Sequence, residues 1–147
     1  MMENTHKMIG FGIAQINTEQ FAILPEAYKE SEPSQIRHEL VFGIDKENKR
    51  VQVQEKARFH NLEHNNPFII IEVSCLFSID DENWEKILIP ESGSIILPRD
   101  FGIHLAMLVV GVLRGILHTK TENTIFNQFI FPPIDVLALV PDDVIFE

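Results

Sequence analysis

Six histidines, one cysteine and 22 acidic residues are the side chains here with chemistry to offer, and their spacing decides how much of it is used. His60 and His64 stand four apart, which on a helix would place two imidazoles beside one metal ion. Here the pair flanks a strand end and the loop Asn65-Asn66-Pro67, with no third ligand nearby. Two surface histidines are expected and no metal. Cys75 falls in mid-strand on an apolar face; a reactive thiol needs exposure and a positive neighbour, so a core residue is expected. His104 lies inside an apolar helical run and reads as a core or interface histidine rather than a base. Asp80-Asp81-Glu82 lacks the spacing and glycine of a calcium loop and reads as a helix start. There is no nucleophile elbow, phosphate-binding loop or dinucleotide fingerprint. No catalytic residue, metal or cofactor is therefore assigned. The expected class is a non-enzyme that folds without metal or disulfide.

Composition narrows the partners. The formal net charge is −10, which repels nucleic-acid backbones and anionic membranes. Solubility is the first use of such a charge, and basic partners come next. A single cysteine fits a reducing, cytoplasmic compartment, and the polar Met1–Lys7 does not read as a signal peptide. Phe occurs 11 times against one Tyr and one Trp. Phe offers area without a polar tip, which suits a core or a greasy binding surface.

The elements that must position these residues are mostly strands. Ile36, His38, Leu40, Phe42 and Ile44 share one face of a strand, opposite Arg37, Glu39, Val41 and Gly43. After the polar turn at 45–49, Val51, Val53, Ala57 and Phe59 oppose Gln52, Gln54, Lys56, Arg58 and His60, so the two runs form an antiparallel hairpin. From Pro67 to Ile79, residues Ile69, Ile71, Val73, Cys75 and Phe77 make one apolar face. The other face is half apolar, as in a central strand. An extended run from Met8 to Leu24 adds a fourth strand, with Gly10, Gly12 and Ala14 leaving room for a close neighbour. Short polar links make these four a meander. The stretch from Ile87 to Ile96 reads as irregular. Pro98-Arg99-Asp100 opens the main helix, which runs to about His118. Its core, Phe101–Leu117, is apolar nearly all round, but His104, Arg114 and three glycines favour burial in protein over a membrane span. One sheet face does not cover such a helix. A second subunit is expected on it, with Leu105, Leu108, Val109 and Val112 at the interface. The fold class is α+β in one domain, 1–147: a four-stranded antiparallel sheet packed on a long helix.

This order of elements resembles the protein-export chaperone SecB over roughly residues 8–140. Leu97-Pro98-Arg99-Asp100 is similar to the family's opening of its main helix, and Leu113-Arg114-Gly115 to the Arg-Gly pair that ends it. Pro133-Ile134-Asp135-Val136-Leu137 resembles the stretch before its last helix, and Phe77-Ser78-Ile79 its exit from the fourth strand. The resemblance implies a homotetramer built as a dimer of dimers. It also implies binding of unfolded polypeptide in long apolar grooves, in export or in a toxin–antitoxin system. Lining of that groove by the second strand and the crossover assigns Leu40, Phe42, Phe126, Phe129 and Phe131 to it, with core packing as the competing role. The family's acidic residues for the SecA motor fall in the first and fourth strands. Here Glu19 and Glu72 stand in those regions, with Ile23 where another acid is expected, which argues against SecA as a partner. A scaffolding oligomer of the same fold is the alternative function, and an enzyme with a site between subunits is a further one.

Overall fold

The computed structural model describes residues 9–147; the polar tail Met1–Lys7 lies outside them. Four strands form the main sheet: β1 (Phe11–Ile23), β2 (Ser34–Asp45), β3 (Arg50–Asn61) and β4 (Pro67–Ile79). Every neighbouring pair is antiparallel, in the order β1-β4-β3-β2. The expected meander holds from β2 to β4. β1 departs from it, lying beside β4 at the far edge, which makes a Greek key. The reason lies in β4, which is buried along most of its length and so takes a hydrogen-bonded neighbour on each edge, β3 on one and β1 on the other. Asn61 secures the long return from β1 to β2. Its buried side chain accepts from Lys29 N at 2.9 Å and donates to Lys29 O at 2.9 Å.

The period-two pattern settles the faces. Val51, Val53, Ala57 and Phe59 of β3 and Ile69, Ile71, Val73, Cys75 and Phe77 of β4 are all buried on one side. Burial pushes the Cys75 thiol pKa up, as suits a core residue. Against this face lies α2 (Arg99–Thr121). Phe101, Leu105, Val109, Leu113 and Leu117 form its buried stripe at i, i+4 spacing. Each such side chain stabilises the fold by roughly 1.5–3 kcal/mol on burial. Arg114-Gly115 does not end the helix, which runs on to Thr121, whose Oγ1 donates to Leu117 O at 2.8 Å. The helix is long and apolar enough to cross a membrane by length and composition, but half of that stretch is buried in this chain's own core.

A short helix, α1 (Asp81–Ile87), is capped as the acidic run indicated, with Asp80 Oδ1 accepting from Asn83 N at 2.8 Å. Gly10 packs against that carboxylate so closely that a Cβ would collide with it. The stretch read as irregular instead contains β5 (Leu88–Ile89) and β6 (Ser94–Leu97), which join β7 (Val144–Phe146) in a second small sheet. Strands of two to four residues are too short to display a period, and the partner of β6 lies at the far C-terminus. Between α2 and β7 come a 3-10 turn, Ile125–Gln128, and the four-residue α3 (Val136–Leu139).

Candidate functional site

β2 is an edge strand, and its inward side chains Ile36, His38, Leu40 and Phe42 are only half buried. A segment from Phe129 to Val140 runs along them in the same direction. Phe129 packs in the cluster that holds Ile36, and the Phe131 ring meets His38 edge-on at 5.6 Å. Val136 and Val140 then pack with Leu40 and Phe42. The segment thus lies between β2 and α2, and one arginine near each end of α2 grips it. Arg114 Nε donates to Phe131 O at 2.7 Å and its Nη2 to Pro132 O at 3.1 Å. Arg99 Nε donates to Val140 O at 2.7 Å and its Nη2 to Leu137 O at 3.0 Å. The two family-like sequence landmarks at 99 and 114 are therefore the two clamps of the crossover.

The five groove residues read from the sequence lie along this band, but in two different states. Leu40, Phe42 and Phe129 are half buried. Phe126 and Phe131 are buried, with Phe131 at 0% exposure, so these two are core anchors rather than open walls. Phe126 and Phe129 join Tyr28, Phe59 and Phe68 in one aromatic cluster with ring centroids 4.9–6.4 Å apart. Outside the band stand Ile125, Ile130 and Leu137, each more than half exposed, and Leu139 at 36%. Phe129 and Ile130 also border a shallow cavity of about 400 Å³ against Gly111 and Gly115 of α2.

The interface residues also divide. Leu105 and Val109 are fully buried against this chain's own sheet and are not available to a second subunit. The side of α2 turned away from the sheet carries His104, Met107 at 59% exposure, Gly111 and Gly115, with Leu108 and Val112 half buried beside them. An apolar helix face of both kinds reads from sequence as all-round apolarity. His104 is exposed rather than in the core, meeting Phe11 edge-on at 5.7 Å. His60 is buried rather than on the surface.

One group was passed over. Glu55 sits at an inward position of β3 and is completely buried. Burial pushes its pKa up to about 8, and Glu39 adds to the shift. Glu55 Oε1 lies 2.8 Å from His38 Nδ1. The protonated carboxyl donates to that imidazole, which in turn meets the Phe131 ring edge-on. A charged residue breaking the alternation between Val53 and Ala57 was the available signal.

No family model matches the chain, and no curated protein matches it in sequence. A solved structure does: a SecB-like chaperone of Mycobacterium tuberculosis, in complex with a peptide from an antitoxin, superposes over 84% of this chain and 90% of its own with a TM-score of 0.50 and 12% identity. The fold is SecB-like. The sheet, the long helix and the clamped crossover are the parts on which the SecB resemblance of the sequence rested, and at this identity the likeness is one of fold.

Proposed function

We propose that this protein is a molecular chaperone that binds non-native polypeptide and catalyses no reaction. The observation that carries this reading is the half-exposed apolar row on the edge strand β2, flanked by exposed Ile125, Ile130, Leu137 and Leu139. Apolar side chains gathered beside an unpaired strand edge are what an extended peptide needs. The edge supplies backbone hydrogen bonds, and the apolar row takes alternate side chains. A client strand lies along β2 where the Val136–Val140 segment yields, with its apolar side chains on Leu40, Phe42 and Phe129, over a floor built by Phe126 and Phe131. The structural neighbour was solved with a peptide from an antitoxin, which supports a polypeptide as ligand. Clients of this chain belong to export or to a toxin–antitoxin system in the cytoplasm. Copies assemble as a dimer of dimers through the outward face of α2, where Met107, Leu108 and Val112 leave apolar surface uncovered beside Gly111 and Gly115.

The test is suppression of aggregation of a reduced, unfolded protein, with the mass of the assembly measured on the same sample. Wild type should suppress aggregation in substoichiometric tetramers. Leu108→Glu should lower the mass while the monomer stays folded, because a carboxylate buried in an apolar interface costs several kcal/mol. A stable oligomer without any suppression would instead favour the scaffold.

A further inference from the structure

The face of the main sheet turned away from α2 carries two rungs of charge. In one, Glu39, Lys56 and Glu72 lie side by side across β2, β3 and β4, a cation between two acids. In the next, Arg37 lies directly opposite Arg58, and Arg58 opposite Ile70. Like charges in directly opposed positions repel. The nearest carboxylate, Glu72, is 3.9 Å from Arg58 Nη2, and Arg37 forms no ion pair among the described residues. In a chain with net charge −10, this rung is left positive.

Arg37 and Arg58 line a cavity of about 520 Å³, together with His38, Glu39, Lys56, His60 and Asn65. That volume falls in the roughly 300–1,000 Å³ range of pockets that hold small molecules. His60 is 2% exposed. Its Nδ1 lies 3.0 Å from Asn61 O and 2.9 Å from His64 O. Carbonyls only accept, so in the neutral ring Nδ1 carries the proton and Nε2 presents a lone pair. Nε2 is buried and has no hydrogen-bond partner among the described residues. A buried polar atom in that state is costly unless a ligand or water meets it.

The two unmet needs differ in sign. The arginines call for an oxyanion, which guanidinium recognises through paired N–H···O bonds. His60 Nε2 calls for a hydrogen-bond donor. Carboxylate and sulfate answer the first need only, because neither carries a hydrogen at neutral pH. A singly protonated phosphate answers both, and with a second ionisation near pH ~6 part of it is present around neutrality. We propose that Arg37, Arg58 and His60 form a phosphate-binding site on the outer face of the sheet. It takes free phosphate or the phosphomonoester of a small molecule, whose body rests on Ile70 and Pro67. The anionic oxygens accept from Arg37 and Arg58, and the remaining P–OH donates to His60 Nε2.

Calorimetric titration of the full chain at constant ionic strength tests this with three probes: inorganic phosphate, phenyl phosphate and sulfate. Saturable binding of phosphate or phenyl phosphate, about 5-fold tighter than sulfate, is expected from one neutral hydrogen bond to His60. Binding of both phosphates with equal affinity marks the free ion as sufficient ligand; a preference for phenyl phosphate marks an organic one. Arg37→Gln should weaken either by about 10-fold or more. Arg37 is exposed, so this variant keeps its fold, which a thermal melt verifies. Absence of saturation in folded wild type, or equal affinity in wild type and Arg37→Gln, overturns the site. Sulfate binding as tightly as phosphate overturns the role of His60.

Discussion

The crossover and the C-terminal segment lie on the same strand but are held in different ways. At the Phe126–Phe131 end the contact is aromatic and closed: Phe126 and Phe131 are buried in the larger core, and Arg114 binds two consecutive carbonyls. At the Val136–Val140 end the contact is a small cluster of four buried residues under a four-residue helix, with Leu137 and Leu139 open to solvent. Arg99 holds this end through one part-buried carbonyl, Val140 O, and one exposed carbonyl, Leu137 O. Buried area rather than hydrogen-bond count separates the two, since each arginine makes two side-chain bonds. Under the proposed chaperone reading, the aromatic end serves as a floor and the more lightly buried end as a lid over Leu40 and Phe42.

The sharpest way to break this contrast is to empty the fixed end. Phe131→Ala removes a ring with no exposure from a packed core and should destabilise the fold by about 3–5 kcal/mol, read as a lowered urea midpoint. Phe42→Ala, on a half-buried side chain, should lose clearly less stability and more client affinity. Equal midpoint losses at both positions would erase the distinction between floor and groove.

The fixed end should also respond to pH. Glu55 has a folded-state pKa of about 8, well above the range of an unfolded carboxyl. Between the unfolded value and 8 the folded chain holds a proton that the unfolded chain has lost. Stability therefore falls as pH rises through that window and levels off above it. At about 1.4 kcal/mol per unit, the loss from pH 5 to 8 is of the order of 4 kcal/mol at most. Glu55→Gln keeps the shape and the donor to His38, and should flatten the stability profile measured by urea unfolding from pH 5 to 9. A profile as steep as that of wild type would place the titrating group elsewhere.

What the sequence made legible follows from period and length. The three alternating runs that became β2, β3 and β4, and the start of α2 at Pro98-Arg99, are long or punctuated enough to be read locally. The position of β1 was not, because strand order depends on which edge of the sheet remains unpaired, a property of the assembled sheet. Within the site, Phe126 and Phe131 could not be told from Phe129, since all three are the same residue in one irregular stretch and only their neighbours differ. Leu105 and Val109 were merged with Leu108 and Val112 because a helix apolar on two faces has no polar stripe between them to divide the two sets. Glu55 was readable, as the one charged residue in an inward row.

The finest test of the contrast is at Arg99. If the C-terminal segment is a lid, its hold on the groove is weak and mainly polar at the surface. Arg99→Ala removes the hydrogen bonds to Leu137 O and Val140 O, and the more exposed of these carbonyls turns to water instead. The net cost of such an exchange is about 0.5–1.5 kcal/mol, too little to unfold the domain. It is enough, though, to raise the population of the open segment by roughly 2- to 10-fold, since 1.4 kcal/mol is about a factor of ten. Hydrogen exchange of the amides from Val136 to Val140 should therefore quicken, while those of β3 and β4 stay unchanged. Because Leu40 and Phe42 lie beneath this segment, client affinity should rise by a similar factor. The matching change at the other end, Arg114→Ala, leaves Phe126 and Phe131 in their pockets and should alter client affinity little. Faster exchange without tighter client binding would mean that the segment is mobile but does not guard the site. Tighter binding in Arg114→Ala as well would mean that the whole crossover moves as one body, and the fixed end would lose its meaning.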